Sequence, residues 1–249
     1  MAEALLEVRG LRKAFGALAA TDGVDFEVRE GETHAIIGPN GAGKTTFISQ
    51  LSGMLQPDAG AIRFAGEDIT ALPAPARSKK GLARSFQITS IYRDFTALDN
   101  VALAVQAHAG HSFHFWRPAQ EEEALRAPAR ATLEQVGLGA RADVLAANLA
   151  HGEQRQLEIA MALATAPRLL LLDEPVAGMG TDESQRMVQF LGTLKGGKTM
   201  ILVEHDMDAV FTLADRISVL VYGRIIATGR PAEIRANPEV RAAYLGEES

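Results

Sequence analysis

"GPNGAGKTT", from Gly38 to Thr46, is the stretch that decides the fold. Its spacing fits G-x-x-x-x-G-K-[ST], with Gly38, Gly43, Lys44 and Thr45 at the defining positions. The chemistry behind that order is specific. A loop whose N–H groups all turn inward needs glycines for its unusual backbone angles, and the concavity it forms takes phosphate. Lys44 places a cation on the β- and γ-phosphates, and the Thr45 hydroxyl ligates Mg²⁺. A chance glycine-rich turn with a surface lysine would lack the flanking context seen here. "THAIIG" before the loop is a short apolar strand of the buried kind, and "KTTFISQLSGML" after it reads as a helix. Gly38, Pro39, Asn40, Gly41, Ala42, Gly43, Lys44, Thr45 and Thr46 are therefore read as a nucleoside triphosphate loop.

Outward from the loop the chain divides into three stretches. Toward the N-terminus, "LLEVRGLRKAF" and "GVDFEVREG" alternate with a β-type period, and "AIRFAG" returns as a strand after the turn "QPDAG". From about Leu98 to Ala164 the pattern is helical, with one expected interruption at "HAGHSFHFWRP". After Pro167, "RLLLLDEP", "DESQRMVQFLGTL", "TMILVEH", "DAVFTLAD" and "RISVLVYG" alternate strand and helix, which implies βαβ units and a mostly parallel sheet. A helical block thus interrupts an α/β core.

Composition bounds the function. The 249 residues carry 47% apolar and 22% charged side chains, as a folded domain does, and the net charge of −6 disfavours a dedicated nucleic-acid binder. With no cysteine there are no disulfides or thiolate metal sites. "MAEALLEVRG" does not read as a secretory signal. The longest stretch free of Asp, Glu, Lys and Arg, Asn100 to Trp116, is too polar to cross a bilayer. The expectation is a soluble cytoplasmic protein whose membrane role, if any, comes through a partner.

Three further positions suit nucleotide chemistry. "LLLLDEP" ends a buried strand with two carboxylates: Asp173 to coordinate the Mg²⁺ held by Thr45, and Glu174 to polarise an attacking water. His205, just past the apolar strand of "ILVEHD", lies where α/β proteins place ligands, at the C-terminal edge of the sheet, and is read as a γ-phosphate contact. Gln87, ending "LARSFQ", offers a neutral oxygen at another strand end. The histidines His108, His111 and His114 are read as a solvated insertion rather than a metal site. Arg77, Lys79, Lys80 and Arg84 are read as an ordinary exposed basic face.

Phosphate loop, glutamine, glycine-containing helix start, Asp-Glu and histidine stand in one order, and that order resembles the ATP-binding subunits of ABC transporters over nearly the whole chain. The resemblance makes Lys44 and Thr45 part of Walker A, Gln87 the Q-loop residue, Asp173 and Glu174 Walker B, and His205 the switch histidine. Gln87 then joins Glu174 and His205 in the catalytic set, and Thr45 and Asp173 as a metal ligand. Phe15, followed by Gly16, matches the aromatic residue that stacks on adenine. The family's fold is an α/β P-loop NTPase (RecA-like) core with an N-terminal antiparallel β piece and an inserted α-helical subdomain. That implies one ABC ATPase domain over 1–249, with 1–87 and 163–249 as nucleotide-binding core and 88–162 as helical subdomain.

The family's signature loop is usually Leu-Ser-Gly-Gly-Gln, and "LAHGE" keeps only Leu149 and Gly152. Ala150, His151, Gly152 and Glu153 would contact ATP in trans, on the phosphate loop of a second subunit. Gly180 stands where the family usually carries Asp or Asn. "LAHGEQRQLEIAMAL", "SFQITSIYRDFTALDNV", "VEHDMDAV" and "GRPAEIRANPEVRAAYLGEE" look like importers of branched-chain amino acids and related amides, which often have Ala at the serine position. The resemblance implies ATP and Mg²⁺ as cofactors and transmembrane permease subunits as partners. It also implies a second ATP-binding subunit, either a paralogue or a copy of this chain, and indirectly a solute-binding protein. The place it implies is the inner face of the plasma membrane. The competing classes are a soluble ABC-type ATPase acting on nucleic acid or ribosomes, and a P-loop kinase or GTPase. The first usually needs a second cassette or a coiled-coil insertion, and the second leaves "LAHGE", Gln87 and His205 without roles.

Overall fold

A computed structural model of the chain describes residues 4–85, 91–109 and 123–245. Strands β1 (Ala4–Phe15) and β2 (Leu18–Arg29) form an antiparallel hairpin. β3 (Thr33–Ile37) enters the glycine loop and helix α1 (Lys44–Ser52) leaves it. β4 (Ala59–Phe64) and β5 (Glu67–Asp68) complete a four-stranded sheet of order β2-β1-β4-β5. Next come α2 (Ala74–Lys79), β6 (Leu82–Arg84), and three helices, α3 (Ala97–Ala109), α4 (Glu123–Gln135) and α5 (His151–Leu163). The chain then alternates through β7 (Leu169–Asp173), α6 (Thr181–Leu194), β8 (Thr199–Val203), α7 (Met207–Leu213), β9 (Arg216–Val221) and β10 (Arg224–Gly229). It ends in α8 (Pro231–Ala236) and α9 (Pro238–Leu245).

The second sheet has the order β10-β9-β3-β8-β7-β6. Its strands from β9 through β6 are mutually parallel, and β10 closes one edge as an antiparallel hairpin with β9. All five residues of β3, β7 and β8 are buried, which is why these strands read as unbroken apolar runs. Alternation sends successive side chains to opposite faces. Ala35, Ile37, Leu170, Leu172, Met200 and Leu202 pack into a core with the helices from α3 to α7. Ile36, Leu169, Leu171, Ile201 and Val203 face α1 and the antiparallel sheet instead. Each such leucine or isoleucine contributes at most about 1.5–3 kcal/mol, the extended chain being an upper-bound reference.

The helical stretch between Leu98 and Ala164 divides into more pieces than its pattern suggests. α3 and α5 flank α4, and between α4 and α5 the chain makes two tight single turns, Gly139–Arg141 and Ala146–Asn148. Most of the expected interruption lies outside the described residues, along with His111, His114, Phe115 and Trp116, whereas His108 stands exposed near the end of α3. Among the described residues no helix is long and apolar enough to cross a membrane.

Of the basic run, Lys79 and Lys80 are exposed as its composition suggests, but Arg77 and Arg84 are not. Arg77 on α2 is fully buried, and its guanidinium donates to the carbonyl oxygens of Gln50 (2.7 Å), Leu51 (2.8 Å), Thr70 (2.9 Å) and Leu72 (2.8 Å). Two of these carbonyls belong to the last turn of α1, which has no basic residue of its own. A guanidinium suits the task because its donors fan out in a rigid plane. Gly53, in the left-handed conformation that ends α1, must be glycine here, since a Cβ would lie 2.7 Å from Arg77 Nε and 2.8 Å from the Leu72 oxygen. Burial lowers the Arg77 pKa to about 10, which leaves it charged at neutral pH. Arg84 is also enclosed, and Lys80 pairs with Glu67. A charge run reports the average of its residues, while burial is decided by what packs on each. Arg77→Met should cost at least about 3 kcal/mol in urea unfolding, because four carbonyls, two of them buried, lose a charged donor together. A loss below about 1 kcal/mol would show that the guanidinium does not hold the end of α1.

Candidate nucleotide site

The phosphate loop occupies the turn from β3 into α1. Gly43 caps the helix with φ +104°, and a Cβ there would stand 2.0 Å from the Ala20 carbonyl oxygen of β2. Glycine is therefore forced both by backbone angle and by the close approach of the antiparallel sheet. Further bonds fix the loop: Gly223 N–H donates to the Ala42 oxygen (2.9 Å), and Asp22 N–H to the Gly223 oxygen (2.8 Å). Lys44 is buried, and its ammonium donates to the carbonyl oxygens of Gly38 (2.6 Å) and Pro39 (3.0 Å). The cation thus lies folded along the loop it would share with phosphate. Asn40, Gly41 and Thr45 are exposed, and Pro39 and Thr46 are half-buried.

The parallel register brings three strand ends together. Asp173 pairs with Val203, and Val203 with Ile36, so the exits of β7, β8 and β3 lie side by side. Asp173, 2% exposed, accepts a bond from Arg84 Nη2 at 2.8 Å. Glu174 follows in the left-handed region, at φ +50°. Among the described residues four non-glycines have such angles; Ala65 and Tyr222 sit in hairpin turns and Ala166 follows a helix, so Glu174 alone stands at a parallel strand's exit. Holding a glutamate there costs about 1 kcal/mol or more, a strain that characterises functional sites. Its N–H donates to the Val203 oxygen (2.9 Å), and its Oε1 lies 3.8 Å from His205 Nδ1. The His205 ring is largely exposed.

Glu204, missed in the sequence, organises these groups. Its carboxylate is 1% exposed and accepts from Val176 N (2.9 Å), His205 N (3.0 Å) and Asp206 N (3.4 Å). One buried carboxylate therefore ties the turn after Glu174 to the turn carrying His205. Burial raises its pKa, against the lowering effect of the three N–H donors. Arg84 was missed too. The available signal was a charged residue at the end of an otherwise apolar strand in both "LAR" and "ILVE", but only pairing across the sheet gives such a residue its partner.

The other named residues fall at separate places. Phe15, at the end of β1, is 52% exposed, on the hairpin whose second strand backs the loop. Gln87 lies outside the described residues. Ala150, His151, Gly152 and Glu153 open α5, where a Cβ on Gly152 would stand 3.5 Å from the Glu183 carboxylate and one on Gly178 would stand 3.7 Å from His151 Nε2. Alanine has no side-chain oxygen to cap a helix, so capping is one-sided. Glu153 Oε2 accepts from Ala150 N (2.9 Å), and its other oxygen takes Arg141 Nε (3.0 Å). The helix start thus keeps its N–H groups and a favourable dipole for an anion.

Donor chemistry decides whether a magnesium ion suits the strand exits. An exposed hydroxyl at the first turn of α1 and a buried carboxylate are both hard oxygen donors. Mg²⁺ takes one or two protein oxygens and completes its shell with phosphate and water. Thr45 and Asp173 fit that requirement.

Similarity to known proteins agrees with this geometry. Residues 21–177 match the ABC transporter family, and residues 224–249 match a family described as branched-chain amino acid ATP-binding cassette transporter. The chain is 41% identical to the high-affinity branched-chain amino acid transport ATP-binding protein BraF of Pseudomonas aeruginosa, over 99% of this chain and all of that one. It is 38% identical, with the same coverage, to the corresponding protein LivG of Escherichia coli. Among solved structures, the ADP conformation of an ATP-binding cassette of an ABC transporter superposes with a TM-score of 0.86 at 31% identity, covering 98% of this chain and 99% of that one. With its loop, acidic strand end and two-sheet P-loop NTPase architecture, the chain belongs to the ABC transporter family as an ATP-binding cassette.

Proposed function

We propose that the chain is the ATP-hydrolysing subunit of an importer for branched-chain amino acids or related small polar solutes. The observation that carries the chemistry is the shared edge of β3, β8 and β7, where the phosphate loop, Asp173 and the Glu174–His205 pair meet. The relatives named as branched-chain amino acid transport proteins, similar from end to end, support the solute class. They give no support to an ATPase acting on nucleic acid.

ATP lies with its phosphates over the loop N–H groups and its adenine on Phe15. Lys44 turns from the Gly38 and Pro39 carbonyls to the β- and γ-phosphate oxygens. Mg²⁺, when bound, would be held by Thr45, Asp173 and Gln87 and would supply Lewis-acid stabilisation of the charge that develops on the phosphates. Glu174 orients a water for in-line attack on the γ-phosphorus and takes its proton as the bond to the ADP oxygen breaks. His205, held by Glu204 through its N–H, secures the γ-phosphate and that water. Hydrolysis leaves ADP and inorganic phosphate.

The second half of the site comes from another ATP-binding subunit, a paralogue or a second copy. Its α5 N-terminus, with Gly152 at the closest approach, faces the γ-phosphate across a head-to-tail dimer, while Glu153 keeps the helix start capped. Residues 88–162 act as the helical subdomain and residues 1–87 and 163–249 as the nucleotide-binding core. A cleft of about 320 Å³ between them, lined by Met54, Pro75, Leu82, Ala83, Ala104 and Met161, is the place for a permease segment. Closure on ATP and reopening after hydrolysis move the permease through differential binding to two states. The subunit works at the inner face of the membrane by that attachment, with a solute-binding protein acting on the permease's far side.

Glu174→Gln should bind ATP within about threefold of the parent and hydrolyse it at least about 100-fold more slowly; undiminished turnover would remove Glu174 from its role. Gly152→Asp should abolish ATP-driven dimerisation in sedimentation velocity while the monomer still binds nucleotide, because a carboxylate would meet the γ-phosphate. Dimers persisting in that variant would place the second half-site elsewhere.

A further inference from the structure

Arg84 closes β6 with its side chain stretched between two regions. One end, Nη2, donates to Asp173 Oδ2 at 2.8 Å, and both side chains are almost enclosed, at 9% and 1% exposure. The other end, Nη1, contacts the Ser49 hydroxyl (3.2 Å), the Ser52 hydroxyl (3.3 Å) and Met54 Sδ (3.7 Å). Ser52, Met54 and Arg84 itself line the 320 Å³ cleft, with Glu158 of α5 also on its wall. A single guanidinium therefore spans from the carboxylate of the nucleotide site to the cleft between core and helices.

A carboxylate as buried as Asp173 is costly unless a cation pairs with it. Arg84 is that cation. A magnesium ion on the same carboxylate places a second cation against the first. The two repel, and the weaker hydration of a guanidinium makes it the easier of the two to hold by neutral oxygens. At its other end, the Ser52 hydroxyl and Met54 both line the cleft.

We infer that Arg84 is a positioning residue, an internal counter-ion that competes with Mg²⁺ for Asp173 and, when displaced, carries the metal's arrival to the cleft. This rests on the ATP reading above. A mere staple between β6 and β7 would stabilise the fold equally at every Mg²⁺ concentration. A counter-ion would matter most when the metal is absent.

The test follows thermal unfolding of the full chain with a non-hydrolysable ATP analogue, titrated from EDTA into Mg²⁺. Arg84→Met should melt several degrees lower in EDTA, recover most of that deficit at saturating Mg²⁺, and need about tenfold less Mg²⁺ for half the effect. Arg84→Lys should stay near the parent. A deficit that is constant at all Mg²⁺ concentrations, or a higher Mg²⁺ requirement, overturns the inference. A second measurement needs no change at Arg84. The chain has no cysteine, so a lone Ser78→Cys on the cleft wall can carry an environment-sensitive dye. Adding Mg²⁺ at fixed analogue should shift its emission, and an unmoved spectrum overturns the inference even if Arg84→Met does not fold. Binding of a fluorescent ATP analogue to the parent, tried both in EDTA and with Mg²⁺, separates the two readings. If the analogue binds in neither, the ATP reading falls and this inference with it. Binding with an Mg²⁺ response that Arg84→Met leaves unaltered rejects the inference alone.

Discussion

The hydrogen-bonded register of β3, β8 and β7 decides where every reactive group stands. Because Ile36 is level with Val203 and Val203 with Asp173, three strands end at one line. The chain emerging from each line end supplies a different chemistry: glycine N–H groups and Lys44 from β3, Glu204 and His205 from β8, Asp173 and Glu174 from β7. A slip of one residue in any pair would turn each side chain to the opposite face and bury the carboxylate among leucines. The apolar content of these strands resists such a slip, since every apolar position in them is buried against one of the two cores.

Buried charge is the second constraint, and three buried ions show how it is met. Arg77 is met by backbone oxygens at the end of α1, Asp173 by Arg84, and Glu204 by the N–H groups of the two turns it joins. Leaving any of them alone would cost far more than the pairing contributes, so these contacts specify conformation more than they add stability. Two of the three, Asp173 and Glu204, stand at or just past the ends of strands that reach the nucleotide site. Its geometry is thereby fixed by electrostatics as well as by packing.

Much of this was legible in the residues. The loop from Gly38 to Thr46, the apolar strands "THAII", "LLLL" and "TMILV", and the alternation after Pro167 all lie in short windows where one period or one spacing carries the information. What the residues hid depends on distant partners. Arg84 and Asp173 are 89 positions apart, and no local pattern pairs them. Arg77 looked like part of an exposed basic face because its burial comes from α1 and the turn at Thr70, not from its neighbours. β10, and α2 with its run of proline and lysine, are short elements held by tertiary contacts rather than by propensity. Glu153 reads as a substitute in a signature loop, whereas the structure gives both its oxygens to the helix start and Arg141.

The central claim is that the turn between β3 and α1 holds triphosphate through the Lys44 ammonium. Equilibrium titration of a fluorescent ATP analogue onto the parent and onto Lys44→Ala tests it most directly, with circular dichroism to confirm that both are folded. The account predicts at least about a tenfold loss of affinity, the scale of one charge-assisted contact. Equal affinity in a folded Lys44→Ala protein would contradict it.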